Sequence, residues 1–207
     1  MAELIDHPCV QHKLAIIRDV DTWHKRFREL ATEITKFICY EALKNIQTRE
    51  VLVQTPVAEA KCRKLATDIV VVPILRAGVG MLDGILELVP TARVGFVGLF
   101  RDEETKLPVT YYERFPPQIK GGTCIIIDPM LATGGSTAAA IDKLKENGAE
   151  SIVVVCIVTC PEGIALVEAE HPDVPIYAAA IDERLDEKKY IVPGLGDAGD
   201  RLFGTSH

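Results

Sequence analysis

The sequence predicts an α/β fold in which helices flank a central, mostly parallel sheet. Three observations predict this class. Apolar runs rich in Val and Ile, of which residues 151–159 are the clearest, have the length and composition of strands buried on both faces. Helical patterns separate these runs along the chain, as in βαβ units. Polar clusters directly follow several of the runs, where the carboxyl ends of open parallel sheets collect ligands.

The first predicted element is a long helix over residues 22–44, which Asp21 or Thr22 can cap. Its apolar residues recur at spacings of three and four and form one face. We interpret this face as packing against the sheet or a partner subunit rather than as a ligand site. The residues are Trp23, Phe27, Leu30, Ile34 and Phe37.

The later elements alternate between strand and helix. A weakly alternating stretch at 51–57 predicts a peripheral strand. Further strands are predicted at 68–73, 93–100, 124–127, 151–159 and 174–180, and helices at 80–88, 137–144 and 161–170. This order indicates right-handed parallel crossovers. We therefore expect one domain over residues 1–207, with its core at about 65–180.

Two segments lie outside this alternation. Residues 106–117 are polar, aromatic and proline-bearing, which predicts a projecting loop or hairpin arm rather than core. The tail at 182–207 is rich in glycine, and its pattern does not predict regular structure. Apolar residues interleaved in the tail, such as Ile191 and Leu195, nevertheless favour an ordered hood over a disordered end.

The composition is that of a water-soluble enzyme without a nucleic-acid surface. The formal net charge of -7 gives no support to general nucleic-acid binding, so an anionic ligand needs locally placed arginines and backbone amides. No apolar run approaches the ~20 residues that span a bilayer, and the N-terminus lacks a signal-peptide pattern. The six cysteines form no CxxC pair, which argues against a metal site or disulfide. We expect a cytoplasmic protein with no membrane partner.

The stretch from Cys124 to Thr137 carries the strongest functional signal. A buried strand ends on Asp128, a loop of small residues follows at 132–136, and an alanine-rich helix begins behind it. Backbone N–H groups and the helix dipole make such a helix start a site for a phosphate. Gly134 and Gly135 let the backbone approach that phosphate closely. The loop lacks the lysine of a nucleotide P-loop, and a plain tight turn between strand and helix is the alternative.

Two arginines also follow predicted strands. Arg76 comes after the strand at 68–73, and Arg101 comes after the strand at 93–100. Guanidinium groups match the paired oxygens of phosphates, so both are candidates to bind an anionic leaving group. The alternatives are a surface turn for Arg76 and an ion pair with Asp102 or Glu103 for Arg101.

Three segments give the chain a resemblance to the uracil phosphoribosyltransferases. They are Val72 to Gly78 (VPILRAG), Ile127 to Ser136 (IDPMLATGGS) and Tyr190 to Arg201 (YIVPGLGDAGDR). The second marks phosphoribosyltransferases broadly, and the third is specific to the uracil enzymes. The resemblance covers nearly the whole chain and implies a phosphoribosyltransferase-like fold. It also implies transfer of the 5-phosphoribosyl group from 5-phosphoribosyl 1-diphosphate (PRPP) to uracil, with Mg²⁺ bound mainly through PRPP.

The resemblance also implies roles for individual residues. The 5′-phosphate is expected in the loop 132–136, the ribose hydroxyls at Asp128, and the diphosphate at Arg76 and Arg101. The residues implied in PRPP binding are Arg76, Arg101, Asp128, Pro129, Met130, Leu131, Ala132, Thr133, Gly134, Gly135, Ser136 and Asp197. Those implied in uracil binding are Ile191, Gly196, Asp197 and Ala198. Arg76, Arg101, Asp128 and Asp197 are the expected catalytic group.

Several consequences of the resemblance are left open. Asp128 is followed by Pro129 where many phosphoribosyltransferases carry a second acid, which fits Mg²⁺ bound mainly through PRPP. The arm at 106–117 either closes over the site or contacts a partner. The family suggests a homodimer or larger oligomer and, in parts of it, GTP activation. An RNA-binding regulator on the same fold and transfer to another base, such as a purine, are the competing functions.

Overall fold

The central sheet explains most of the buried apolar sequence. A computed structural model describes the backbone of residues 2–101 and 108–205, and the side chains of 2–100 and 109–205. The strands are β1 (Ala2–Leu4), β2 (Thr48–Gln54), β3 (Glu59–Leu65), β4 (Ile69–Leu75), β5 (Arg93–Val94), β6 (Phe96–Arg101), β7 (Pro108–Arg114), β8 (Thr123–Ile127), β9 (Met130–Leu131), β10 (Ser151–Thr159), β11 (Ile176–Ile181), β12 (Arg184–Leu185) and β13 (Ile191–Val192). The helices are α1 (Pro8–Arg18), α2 (His24–Ala42), α3 (Val79–Leu88), α4 (Gly135–Glu146), α5 (Pro161–Glu170) and α6 (Ala198–Phe203).

The main sheet has the order β1-β11-β10-β8-β4-β6-β7, with β5 beside β4 and β9 beside β10. Every pair in it is parallel except β6 with β7. The side chains of β8 and β10 alternate between two apolar clusters, one on each face. Because both faces are buried, these strands are apolar throughout rather than alternating. The predicted fold class, a mostly parallel sheet flanked by helices, is confirmed.

Helix α2 is the predicted N-terminal helix, but its start differs from the prediction. Trp23 takes the N-cap position without a side-chain hydrogen bond, and it is 71% exposed. The Thr22 hydroxyl instead donates to the carbonyl of Ile16, which turns the chain out of α1. Neither Asp21 nor Thr22 therefore caps the helix. Phe27, Leu30 and Ile34 are fully buried, as their spacing predicted.

The tail contains more regular structure than its composition indicated. Strands β12 and β13 pair antiparallel, and α6 begins at Ala198 behind an N-cap at Asp197. Leu202 of α6 is fully buried, whereas Phe203 is 39% exposed. The carbonyl of Leu202 also accepts a hydrogen bond from Arg28 Nη1 at 2.7 Å. The expectation of an irregular tail was wrong, because contacts with α2 stabilise a helix too short to form alone.

Two hairpins extend from the core. β6 and β7 form an antiparallel pair where the arm at 106–117 was predicted, although residues 102–107 lie outside the described part of the chain. β2 and β3 form a second antiparallel pair that is separate from the main sheet. Among the described residues, no helix is both long enough and apolar enough to cross a membrane. The single-domain boundaries stay a prediction.

Candidate active site

Three predicted site residues lie at the ends of adjacent strands. The sheet order places β8, β4 and β6 side by side, and all three run in the same direction. Asp128 follows β8, Arg76 follows β4, and Arg101 is the last residue of β6. The parallel sheet therefore brings together positions that are far apart in sequence. The side chain of Arg101 lies outside the described residues, as do Asp102, Glu103 and Glu104.

The loop after β9 leads into an unblocked helix N-terminus. Gly134 holds the N-cap position in the left-handed region (φ 85°, ψ -20°), and no side chain caps α4. A Cβ at Gly134 would lie 2.9 Å from the Gly163 carbonyl oxygen and from Leu166 Cδ2, so both the conformation and the space require glycine. Among the residues that the structure describes, a Cβ at Gly135 would meet only Thr133 Oγ1, at 4.0 Å. The first turn of α4 therefore presents its backbone N–H groups to an open space, which we call the cleft.

The underside of this loop is bound to the core. Thr159 Oγ1 donates to the carbonyl of Leu131 at 3.0 Å, and the Cys160 thiol contacts the carbonyl of Ala132 at 3.2 Å. A Cβ at Gly163 would lie 2.5 Å from that same Ala132 oxygen. These contacts turn the loop carbonyls inward. The negative ends of the peptide dipoles thus point away from the cleft, which favours an anion on its open side.

Asp128 is a half-buried carboxyl group that directly follows β8. Burial raises the pKa of this carboxyl to about 7, and the backbone N–H of Met130, 3.5 Å from Oδ1, partly offsets the shift. The carboxyl is thus poised to change charge near neutral pH. The carbonyl of Pro129, the next residue, accepts hydrogen bonds from the N–H groups of Ile157 and Val158, each at 3.1 Å. No second acid follows Asp128, and the described residues contain no group of three or more acidic, His or Cys side chains suited to a metal.

Arg76 connects the strand ends to the tail. It is 64% exposed at its side chain, and its Nη2 lies 3.7 Å from Asp200 Oδ1 in α6. The peptide bond between Leu75 and Arg76 is cis. A Cβ on Gly199 would lie 3.8 Å from the same guanidinium nitrogen. Arg76 is therefore beside the first turn of α6 as well as beside the end of β8.

The predicted uracil-binding residues divide into buried and exposed pairs. Ile191 is 4% exposed and Ala198 is fully buried, so only their backbone groups are available to a ligand. Gly196 (φ 72°) and Asp197 are exposed. Asp197 Oδ1 accepts the Asp200 N–H at 2.9 Å and so caps α6. The structure places Asp197 close to Arg76, while the roles of all these residues stay predictions.

Three site-supporting residues were not found from the sequence. Asp200 contacts Arg76, and Arg18 pairs with Asp182 beneath the tail. The spacing of Asp197 and Asp200 is typical of a helix start and could have indicated α6. No sequence signal joins Arg18 to Asp182, because the two residues are 164 positions apart.

Comparison with known proteins assigns the family. The family model described as "Uracil phosphoribosyltransferase" matches residues 4–205. Proteins named uracil phosphoribosyltransferase include one from Acholeplasma laidlawii, 53% identical over 202 residues (98% of this chain, 97% of the relative). Another, from Alkaliphilus oremlandii, is 55% identical over 203 residues, with the same two coverages of 98% and 97%.

Solved structures agree on the fold. A protein structure from Aquifex aeolicus superimposes with a TM-score of 0.94 at 40% identity, covering 100% of this chain and 99% of the other. A hypoxanthine phosphoribosyltransferase from Staphylococcus aureus reaches a TM-score of 0.53 at 15% identity, covering 81% of this chain and 85% of the other, which supports the fold alone. With the family model spanning nearly every residue, this chain belongs to the uracil phosphoribosyltransferase family.

Proposed function

We propose that this protein transfers the 5-phosphoribosyl group of PRPP to uracil and releases UMP and diphosphate, a reaction of pyrimidine salvage. The family assignment supports this function. The observation that carries it in the structure is the convergence of three features at adjacent strand ends. They are the open N-terminus of α4, the carboxyl of Asp128 and the guanidinium of Arg76. PRPP carries a group to match each feature: a 5′-phosphate for the start of α4, ribose hydroxyls for Asp128 and a diphosphate for Arg76.

The donor would lie across the strand ends. The 5′-phosphate would accept hydrogen bonds from the N–H groups of Gly135, Ser136 and Thr137, where the helix dipole also favours negative charge. Asp128 would accept hydrogen bonds from the ribose hydroxyls, and Arg76 with Arg101 would bind the diphosphate. Arg76 is free to do so because its contact with Asp200 is long, at 3.7 Å, and largely solvent-exposed.

The chemistry requires charge stabilisation rather than a protein nucleophile. Departure of diphosphate leaves an oxocarbenium-like centre at the anomeric carbon and adds negative charge to the leaving group. Guanidinium groups that face the diphosphate stabilise that charge as it develops. The cysteine nearest the phosphate loop is Cys160, whose thiol contacts the Ala132 carbonyl, and burial raises the pKa of that thiol. Burial likewise raises the pKa of Cys156. Neither is suited to covalent catalysis.

Magnesium would enter with PRPP. Mg²⁺ is commonly held by one or two carboxylates together with substrate phosphates and water. A single carboxylate, Asp128, followed by Pro129 fits such a shared site better than a cage of protein ligands. A bound cation would offset the charge of PRPP, and Asp128 would hold the donor's hydroxyls in its anionic form.

Uracil would bind against the backbone of the tail. Its edge presents an N3–H donor between two carbonyl acceptors. Among the described residues, no protein group accepts a hydrogen bond from the N–H of Gly196 or Asp197, so both donors are available. Cytosine lacks the N3 proton and carries an amine, so the same edge would leave polar groups unpaired.

Oligomerisation, a GTP effector and a cytoplasmic location are further parts of the proposal. Exposed apolar side chains support a homo-oligomer: Leu52 and Val57, at the β2–β3 hairpin, are 62% and 94% exposed. Sedimentation would test the oligomer, and initial rates with and without GTP would test the effector.

The function is tested by following UMP and diphosphate in a mixture of protein, uracil, PRPP and Mg²⁺. We expect equal amounts of both products, no product with chelator, and a large loss of turnover in Arg101→Ala. Absence of UMP despite measurable PRPP binding would refute the proposed transferase activity. UMP-dependent RNA binding under those conditions would instead support the alternative function, an RNA-binding regulator.

A further inference from the structure

A buried ion pair joins three distant parts of the chain beneath the tail. Arg18 is the last residue of α1, and Asp182 directly follows β11. Arg18 Nη1 donates to Asp182 Oδ2 at 2.8 Å, and Nη2 donates to Oδ1 at 2.6 Å. The Asp182 side chain is 6% exposed and that of Arg18 is 24% exposed. Such a two-bond pair, shielded from water, fixes geometry more strictly than a surface pair.

The same two side chains hold both backbone groups of Gly194. Asp182 Oδ2 accepts the Gly194 N–H at 2.8 Å, and Arg18 Nη1 donates to the Gly194 carbonyl at 2.9 Å. Gly194 has φ 64°, and a Cβ there would lie 2.1 Å from the carbonyl oxygen of Ile191. The backbone at this position is therefore specified by conformation, by space and by two charge-assisted hydrogen bonds.

Gly194 lies between the two parts of the proposed uracil site. Ile191 precedes it, and Gly196 to Ala198 follow it. The next carbonyl, that of Leu195, accepts a hydrogen bond from Arg201 Nη1 at 2.9 Å. In this loop, residues 193–197, Gly194 is thus bound to α1 and to the end of β11, and Leu195 is bound to α6. Among the described residues, no protein group accepts a hydrogen bond from the N–H of Gly196 or Asp197, and both residues are exposed.

We propose that Arg18 and Asp182 are positioning residues for uracil: they hold the loop 193–197 so that its free backbone groups match the base edge. The inference rests on the proposed function. A buried ion pair is weak evidence of stabilisation in itself, because the desolvation of its charges offsets their attraction. What this pair supplies is a defined backbone position, which is the property that a backbone recognition site needs.

The test compares Arg18→Lys and Asp182→Asn with the wild-type protein. Lysine keeps the charge but cannot form the paired bonds and also reach Gly194. Asparagine keeps the shape but replaces one acceptor with a donor that faces Arg18. Lys44→Met serves as the control. It removes a 2.7 Å ion pair with Glu3 that joins the turn after α2 to β1, another contact between segments distant in sequence.

Three readouts separate positioning from general stability. We expect both variants to raise KM for uracil about tenfold, the effect of losing a hydrogen bond to a charged group. The dissociation constant of PRPP with Mg²⁺, measured without uracil, should change far less. Hydrogen exchange of the Gly194 N–H, which donates to Asp182, should become faster in both variants, and the control should alter none of the three readouts. If Arg18→Lys fails to fold, Asp182→Asn decides the comparison.

The outcomes are distinct. Equal changes in the uracil and PRPP parameters, or unchanged exchange of the Gly194 N–H, would overturn the positioning role. A wild-type protein that binds PRPP but forms no UMP would overturn the proposed function and the uracil role with it. In that case the exchange data would still show whether the pair orders the loop.

Discussion

Replacing Asp128 with asparagine should stabilise the ligand-free protein above neutral pH. Burial raises the pKa of Asp128 from 3.8 to about 7, a difference of about three units. At about 1.4 kcal/mol per unit, ionising this group in the folded state costs up to about 4 kcal/mol. The carboxyl keeps a partly exposed surface on the cleft side, so we expect about 2 kcal/mol of stabilisation in Asp128→Asn at pH 8.

The direction of the pH dependence follows from proton binding. Between about pH 4 and pH 7 the folded protein holds a proton on Asp128 that the unfolded chain has lost. Stability contributed by this group is therefore present at low pH and falls as pH rises through that window. Above pH 7 the carboxyl is ionised in both states, and the dependence levels off. Asp128→Asn should lack this decrease.

Urea unfolding at a series of pH values from 5 to 8.5 measures the effect. Asp173→Asn is a suitable control because Asp173 lies at the surface, and its hydrogen bond with Lys145 lowers the pKa of its carboxyl. This control should retain the decrease caused by Asp128. Parallel curves for wild type and Asp128→Asn would refute the assignment of a raised pKa.

The negative charge of ionised Asp128 should also favour binding of PRPP. An ionised carboxylate accepts hydrogen bonds from sugar hydroxyls, while the protonated form has less capacity to do so. PRPP affinity in the wild-type protein should therefore increase between pH 6 and pH 8, and Asp128→Asn should bind PRPP weakly at both values. Calorimetric titration with Mg²⁺ measures this, and pH-independent affinity in the wild type would contradict it.

Four further substitutions test other parts of the site. Gly134→Ala should destabilise the protein by about 2–4 kcal/mol in urea unfolding, since φ is 85° and the Cβ would meet the Gly163 oxygen at 2.9 Å. Gly135→Ala should leave stability within about 1 kcal/mol but weaken PRPP binding, because its methyl group would enter the open cleft; unaltered affinity would exclude the phosphate from this loop. Arg76→Ala should lower kcat/KM about 100-fold at unchanged Tm. Arg93→Ala, at the other end of the strands, is the control, and an equal loss of kcat/KM in both variants would remove Arg76 from the mechanism. Asp197→Ala should cost about 1 kcal/mol through loss of the α6 cap, and an unchanged unfolding midpoint would count against that capping role.

The strands and the phosphate loop were predictable because their signals are local. Each buried strand is a continuous apolar run, and the loop at 132–136 combines glycines with the start of a helix. The tail depends mainly on tertiary contacts. α6 has only six residues, and an Asp197 cap, the Arg28 hydrogen bond and the buried Leu202 stabilise it. The spacing of Asp197 and Asp200 is typical of a helix start, but a helix this short does not form without those contacts.

The site residues also divide into those with a local sequence signal and those that depend on long-range contacts. Arg76 and Asp128 could be identified as strand-end residues, and the sheet order then makes them neighbours. The contact of Arg76 with Asp200 and that of Arg18 with Asp182 join positions more than 120 residues apart. Each pair depends on how α6 and α1 pack. Sequence periodicity within either helix does not specify its partner in the tail.

Base selectivity tests the central claim most directly. Initial rates of nucleotide formation would be compared for uracil, cytosine, hypoxanthine and orotate at saturating PRPP and Mg²⁺. We expect turnover with uracil and kcat/KM for cytosine lower by a factor of about 10⁴, as for sites whose buried polar groups would be left unpaired. Comparable turnover with cytosine, or preference for hypoxanthine or orotate, would contradict uracil recognition by the backbone of residues 191–198.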